Sequence, residues 1–145
     1  MTLHGTYDTE NVFAQILRGE LPAAEIVEEA YAIAIMDAFP QTRGHCLVIP
    51  KATSRNLLEA SPKDVGRVFG LVQRVAQAVD KVLSPTGIII SQFNGAPAGQ
   101  TVFHTHAHII PRYDMSDMAE HAQGQRADMN ELEALAEQIR RALDT

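Results

Sequence analysis

Three histidines alternate in one short run, His104-Thr105-His106-Ala107-His108, and they are half of the six in the chain. In an extended strand every second side chain shares a face, so these imidazoles would stand in a row. Val102, Phe103, Thr105, Ile109 and Ile110 favour a pleated surface and Pro111 can end it, so the stretch predicts a strand. Its other face, Phe103, Thr105, Ala107 and Ile109, reads as core. A row of imidazoles points to metal binding or to chemistry. Imidazole has an ordinary pKa of about 6.5, so its neutral, nucleophilic form is abundant near neutral pH. Attack by one histidine on a phosphoryl group would give a covalent phospho- or nucleotidyl-histidine, dividing one difficult displacement into two. The others could fix its tautomer, bind oxygens or protonate a leaving group. H-x-H on a strand also offers two imidazoles to zinc or iron, and the run alone leaves both chemistries open.

The preceding loop, Asn94-Gly95-Ala96-Pro97-Ala98-Gly99-Gln100, bears on that choice. Gly95 and Gly99 would let main-chain N–H groups approach an anion, and Gln100 and Thr101 add polar groups before the first histidine. Phosphoryl transfer is mostly positioning and charge stabilisation, so such donors matter.

The elements that must carry these groups follow from the pattern. Asn11 to Arg18 reads as a short helix stopped by Gly19, and Glu25 to Glu28, Tyr31 to Met36 and Cys46 to Ile49 as strands. Ser61-Pro62-Lys63-Asp64 is a helix start, with a serine cap and proline at the first position. Apolar residues from Val65 to Leu83 then recur every three or four positions, predicting a long amphipathic helix. Ile88 to Phe93 is a fourth strand, joined to the histidine strand by a connection short enough to make the pair antiparallel. After a polar loop, Tyr113 to Ala127, Asp128 caps a last helix with Leu132, Leu135, Ala136, Ile139 and Leu143 on one face. Five antiparallel strands, one long helix and two shorter ones predict an α+β fold.

The 145 residues fit one domain, 1–145, with its core at 11–112 and a loop and helix at 113–145. One cysteine, Cys46, excludes an internal disulfide framework and reads as a buried small hydrophobe. No apolar run is long enough to span a bilayer, and Met1 to Glu10 lacks a signal pattern, so the expected location is cytoplasmic. A net charge of −6 argues against nucleic-acid or membrane-surface partners.

The motifs taken together resemble the histidine triad nucleotide-binding proteins. His104 to Ile110 is similar to their H-φ-H-φ-H-φ-φ signature. Phe13 to Pro22 is similar to F-x-x-I-x-x-G-E-x-P. Met36 to Pro40 and Gly44 to Lys51 are similar to D-x-x-P followed by G-H-x-L-V-I-P-K. Asn94 and Ala98 to Phe103 fit an N-x-G-x-x-A-G-Q-x-V lead-in shortened by one residue, and Ile110-Pro111-Arg112 follows as expected. The likeness runs in order from about residue 11 to 112 and favours the Hint-like bacterial branch.

That resemblance implies a five-stranded antiparallel sheet with the long helix across it, and a homodimer formed sheet to sheet. It implies a metal-independent, cofactor-free hydrolase of purine nucleoside phosphoramidates or related nucleotidyl compounds, binding an AMP-like substrate. His106 would attack the α-phosphorus, His108 would contact phosphate and protonate the leaving group, and His104 and His45 would support them. Asp37 would bind the ribose, with Phe13, Ile16 and Ile35 lining the base pocket. Asn94, Gly99, Gln100 and Thr101 would hold phosphate oxygens and the leaving group. The alternatives are a catalytically weak AMP- or adenosine-binding regulatory protein, a dinucleoside polyphosphate hydrolase, and a metalloprotein using the three histidines. Many bacterial members hold a structural zinc through C-x-x-C near the first helix, P-K-x-H and a triad histidine. Here the cysteine positions near Val12 to Gln15 are empty and Thr53 falls where histidine would, so no structural zinc is expected.

Overall fold

The computed structural model describes residues 2–114 and 125–143. The elements run α1 (Val12–Leu17), β1 (Glu25–Glu28), β2 (Ala32–Met36), β3 (Cys46–Pro50), α2 (Pro62–Leu83), β4 (Gly87–Ser91), a 3-10 turn (Ala96–Ala98), β5 (Ala107–Arg112) and α3 (Met129–Ala142). The caps of α2 and α3 are those the sequence predicts, and α1 is capped as well. Asn11 accepts from the Ala14 N–H, Ser61 from Asp64 and Asp128 from Asn130.

The five strands form one antiparallel sheet in the order β1-β2-β3-β5-β4. Alternation divides its residues between two apolar layers. Ala32, Ala34, Met36, Cys46, Val48, Ala107 and Ile109 pack with α2 and α3. Ile33, Ile35, Leu47 and Ile49 pack on the other side against Phe13, with Ile16 and Leu17 of α1 beside them. His108 pairs with Leu47 in the register, which puts it on this second, thinner side.

Two strand ends differ from the sequence expectation. β5 begins at Ala107, so His104, Thr105 and His106 precede it rather than forming its first half. Its pairing with β3 stops at Val48↔Ala107. Pro50 has no N–H to extend a ladder, and its carbonyl accepts instead from the His104 ring, while the Thr105 N–H turns to the Ser54 carbonyl. β4 is shifted toward its start, ending at Ser91 instead of Phe93.

Helix α3 settles back on the body. Leu132, Leu135, Ala136 and Ile139 are buried in the larger layer. A bulge in β1 between Glu25 and Val27 turns the Glu25 and Ile26 carbonyls outward, where Arg140 donates to both at 2.6 and 2.8 Å. That covers the sheet edge at β1. Of the loop expected at 113–127, residues 115–124 lie outside the described residues.

Candidate active site

The irregular segment before β5 fixes the middle histidine by main chain. The His106 Nδ1 lies 2.7 Å from the His104 carbonyl oxygen. A carbonyl only accepts, so Nδ1 carries the proton and Nε2 keeps its lone pair. The ring packs edge-on against Phe13, centroids 4.7 Å apart, and against His108 at 5.0 Å. His104 is held by the same logic. Its Nε2 donates to the Pro50 carbonyl at 2.8 Å, which leaves Nδ1 to accept from the Tyr7 hydroxyl at 2.6 Å. Burial holds the His104 pKa below its ordinary value, a shift partly offset by the Pro50 bond.

His108 is oriented by side chains. Its Nδ1 lies 2.9 Å from Nε2 of fully buried His45. The Gln41 N–H donates to His45 Nδ1 at 3.0 Å, so His45 carries its proton on Nε2 and donates it to His108. His108 in turn carries its proton on Nε2. The Asp37 carboxylate stands 3.3 Å from the same His45 nitrogen, and its other oxygen accepts from the Phe39 N–H at 2.8 Å. Burial pushes the Asp37 carboxyl up to about 6, against the opposing pull of the Phe39 bond. Phe93 covers His108 from a further side, centroids 5.4 Å apart.

A cavity of about 270 Å³ opens in front of these rings. Phe13, Ile16, Ile35 and Asp37 line it as the sequence predicts, together with Thr101, His106 and His108. Among the lining residues that the sequence reading missed are Leu47, Phe39, Arg126, Met129 and Leu132. The last three come from α3 and the turn before it, whose docking the periodicity of one helix does not announce. The wall is mostly apolar, and besides the histidines it carries one acid, Asp37, and one exposed base, Arg126. A second cavity of about 210 Å³ reaches His106 from beneath the start of α2.

The 94–101 loop departs from its expected role. Gly99 has φ +112° and Gly95 φ +87°, so both occupy backbone that favours glycine. Their N–H groups do not face an anion. Gly99 donates to Ala96, Gln100 to Gly95, and Gly95 to the Gln100 side chain. The Gln100 amide also donates to the Arg55 and Val102 carbonyls, and Asn94 accepts from the Leu57 N–H and bonds Gln92. Asn94, Gly99 and Gln100 therefore shape and anchor the loop, and Thr101 is the member that lines the cavity.

The site's hydrogen bonds also bear on metals. Asp37, His45 and His108 bring three potential ligand atoms within 4.8 Å. A metal-bound histidine donates from its other nitrogen, yet the other nitrogen of His45 faces the Gln41 N–H donor. His104, whose nitrogens face Tyr7 and Pro50, is likewise committed. The cysteine pair of the zinc-binding pattern is missing, and Cys46 is fully buried, its thiol pushed far up by desolvation. The residues present do not fit a structural zinc.

Comparisons with known proteins agree with this geometry. A family model described as the HIT domain matches residues 18–115. Protein hit of Bacillus subtilis is 38% identical over 106 residues, 73% of each chain. Adenylylsulfatase HINT3 of Arabidopsis thaliana is 37% identical over 107 residues, 74% of this chain and 54% of the plant protein. The crystal structure of a Hit-like protein involved in cell-cycle regulation from Bartonella henselae has a TM-score of 0.89 at 41% identity, covering 95% of this chain and 99% of that one. A Zn-bound histidine triad family protein from Mycobacterium smegmatis gives 0.80 at 34% identity, with 94% of each chain covered. With the fold, the triad and these relatives in agreement, the chain belongs to the HIT domain family, a superfamily of nucleotide-binding hydrolases and transferases.

Proposed function

We propose that the protein hydrolyses purine nucleoside phosphoramidates, or closely related nucleotidyl compounds, through a nucleotide bound covalently to His106. The observation that carries this reading is the bond from His106 Nδ1 to the His104 carbonyl, which puts the ring's lone pair on Nε2, in a ring that lies against His108. Nε2 attacks the α-phosphorus while the P–N bond breaks. The amine leaves with its electron pair and takes the Nε2 proton of His108. That proton is replaced from water, whose oxygen then attacks phosphorus, releasing the nucleotide and restoring neutral His106. Asp37 binds the ribose hydroxyls, Phe13, Ile16 and Ile35 receive the base, and Thr101 meets the phosphate. No metal takes part in this scheme, and the reaction would run in the cytoplasm; among the described residues no helix is long and apolar enough to cross a membrane. The test is hydrolysis of adenosine 5′-phosphoramidate by wild type and His106→Gly, with EDTA present. Turnover by wild type alone, with AMP still bound by the variant, is expected. AMP binding without turnover by wild type would favour the regulatory-protein reading, and loss of activity in EDTA would overturn metal independence.

The working unit in this reading is a homodimer. β4 is a sheet edge with Ile89 and Ile90 exposed, a surface suited to pairing with a second copy. Sedimentation at micromolar concentration should give twice the chain mass for wild type and the single mass for Ile90→Lys; a wild-type monomer would sink the proposal.

A further inference from the structure

The N-terminal segment, which no motif singles out, touches the triad. Tyr7 approaches His104 edge-on, centroids 5.7 Å apart, with its oxygen 2.6 Å from Nδ1. The rest of the segment is tied down by buried side chains. Arg55, only 4% exposed, donates to the Thr2 carbonyl at 3.0 and 3.3 Å and to Thr6 at 3.5 Å. Its guanidinium lies 4.6 Å from the centre of the Phe103 ring, next in sequence to His104. Asn56, wholly buried, donates to the Leu3 carbonyl at 2.7 Å. Gly5 passes so close to Arg55 that a Cβ there would meet the guanidinium at 3.1 Å. A buried arginine and asparagine committed to the carbonyls of an irregular segment is an expensive arrangement unless that segment has work to do.

We propose that Tyr7, carried on this clasped segment, is a positioning residue for the nucleophile. Its hydroxyl proton is donated to His104 Nδ1, which holds His104 as the Nε2–H tautomer and keeps that proton on the Pro50 carbonyl. The ring is then fixed at both nitrogens, and with it the main-chain carbonyl that holds His106. Without the hydroxyl, Nδ1 is buried with no donor. The ring gains by tautomerising or turning, and His106 loses the fixed carbonyl that points its Nε2. The influence passes from Tyr7 to His104 to His106, and Tyr7 does not touch substrate. The same clasp reaches the 94–101 loop, because the Arg55 carbonyl accepts from Gln100. The N-terminal segment, the 51–60 segment and the 94–101 loop thus form one support behind the histidines.

This inference rests on the proposed nucleotidyl-transfer chemistry for its kinetic arm only. The test is Tyr7→Phe, which removes one oxygen and keeps the ring. Long-range 15N–1H spectra of the imidazoles should give wild-type His104 as a single Nε2–H tautomer with a hydrogen-bonded Nδ1. In the variant the Nδ1 resonance should move several ppm or split into two tautomers. With adenosine 5′-phosphoramidate, kcat should fall about tenfold or more with KM within about twofold, the mark of lost alignment rather than lost binding. A His104 signature unchanged in Tyr7→Phe, or an altered signature with unchanged kcat, overturns the positioning role and leaves the phosphoramidase reading intact. Wild type inactive on the phosphoramidate, with the His104 signature still moved by Tyr7→Phe, overturns that reading while retaining the support of His104 by Tyr7.

Discussion

The two histidines proposed to act on the substrate are held by different means. His106 is tied to a main-chain carbonyl, and His104, which owns that carbonyl, is tied to another at Pro50. Neither carbonyl can give or take a proton, and with the Tyr7 hydroxyl on the other His104 nitrogen this half of the site has its tautomers set by the fold. His108 is tied to His45, and His45 to Gln41 and Asp37. That half contains a carboxyl, Asp37, that burial holds near pKa 6, so it can respond to its surroundings. A nucleophile benefits from a fixed lone pair, whereas a group that must give up and regain a proton benefits from partners that adjust. The division matches the two roles proposed for the rings.

Removing His106 should have the largest effect, because among the described residues His106 is the ring proposed to supply the attacking nitrogen. His106→Gly should lose at least about 10³-fold in kcat, with AMP affinity within a few-fold. A residual rate within about tenfold of wild type would mean that water attacks phosphorus directly, and the fixed half would lose its special standing. The adjustable half should be more forgiving. His45→Phe keeps a ring in the buried space but removes the donor that sets His108. Turnover should fall about 10- to 100-fold, since His108 itself remains. A loss as deep as that of His106→Gly would show the two halves to be one inseparable unit.

What was legible in the sequence follows the same division. Elements specified by local chemistry, such as the Ser61-Pro62 start of α2 and the Asp128 cap of α3, stand where their residues predict. The three histidines, Asp37 and His45 lie near one another in the fold, and the resemblance could name them together because the motifs that hold them are contiguous. The start of β5 was not legible, because it depends on where its ladder with β3, a distant strand, stops. Tyr7 lies 97 residues from His104, and no periodicity connects them. Arg126 and Met129 reach the cavity only because α3 docks on β1 and β2. Gln100 misled for a further reason. A buried amide in a tight loop is drawn to the main chain around it, and its sequence context does not reveal that demand.

The smallest expected effect, and the one that separates the halves by pH, is on stability. Burial raises the Asp37 pKa from 3.8 to about 6, so between these values the folded chain holds a proton that the unfolded chain has released. Stability from this group is complete below about pH 4 and is lost as pH rises through 6. His104 acts in the opposite sense. Its pKa is lowered in the fold, so its contribution is present above the ordinary histidine pKa and is lost as pH falls below it. Asp37→Asn removes the first dependence and leaves the second. The variant should therefore be more stable than wild type at pH 8, by about 1–3 kcal/mol, with the gap closing toward pH 4. Urea midpoints at pH 4.5, 6 and 8 measure it. A variant less stable than wild type at pH 8 would mean that the Phe39 and His45 contacts outweigh the cost of burying the charge. The side-chain half of the site would then be as firmly built as the main-chain half.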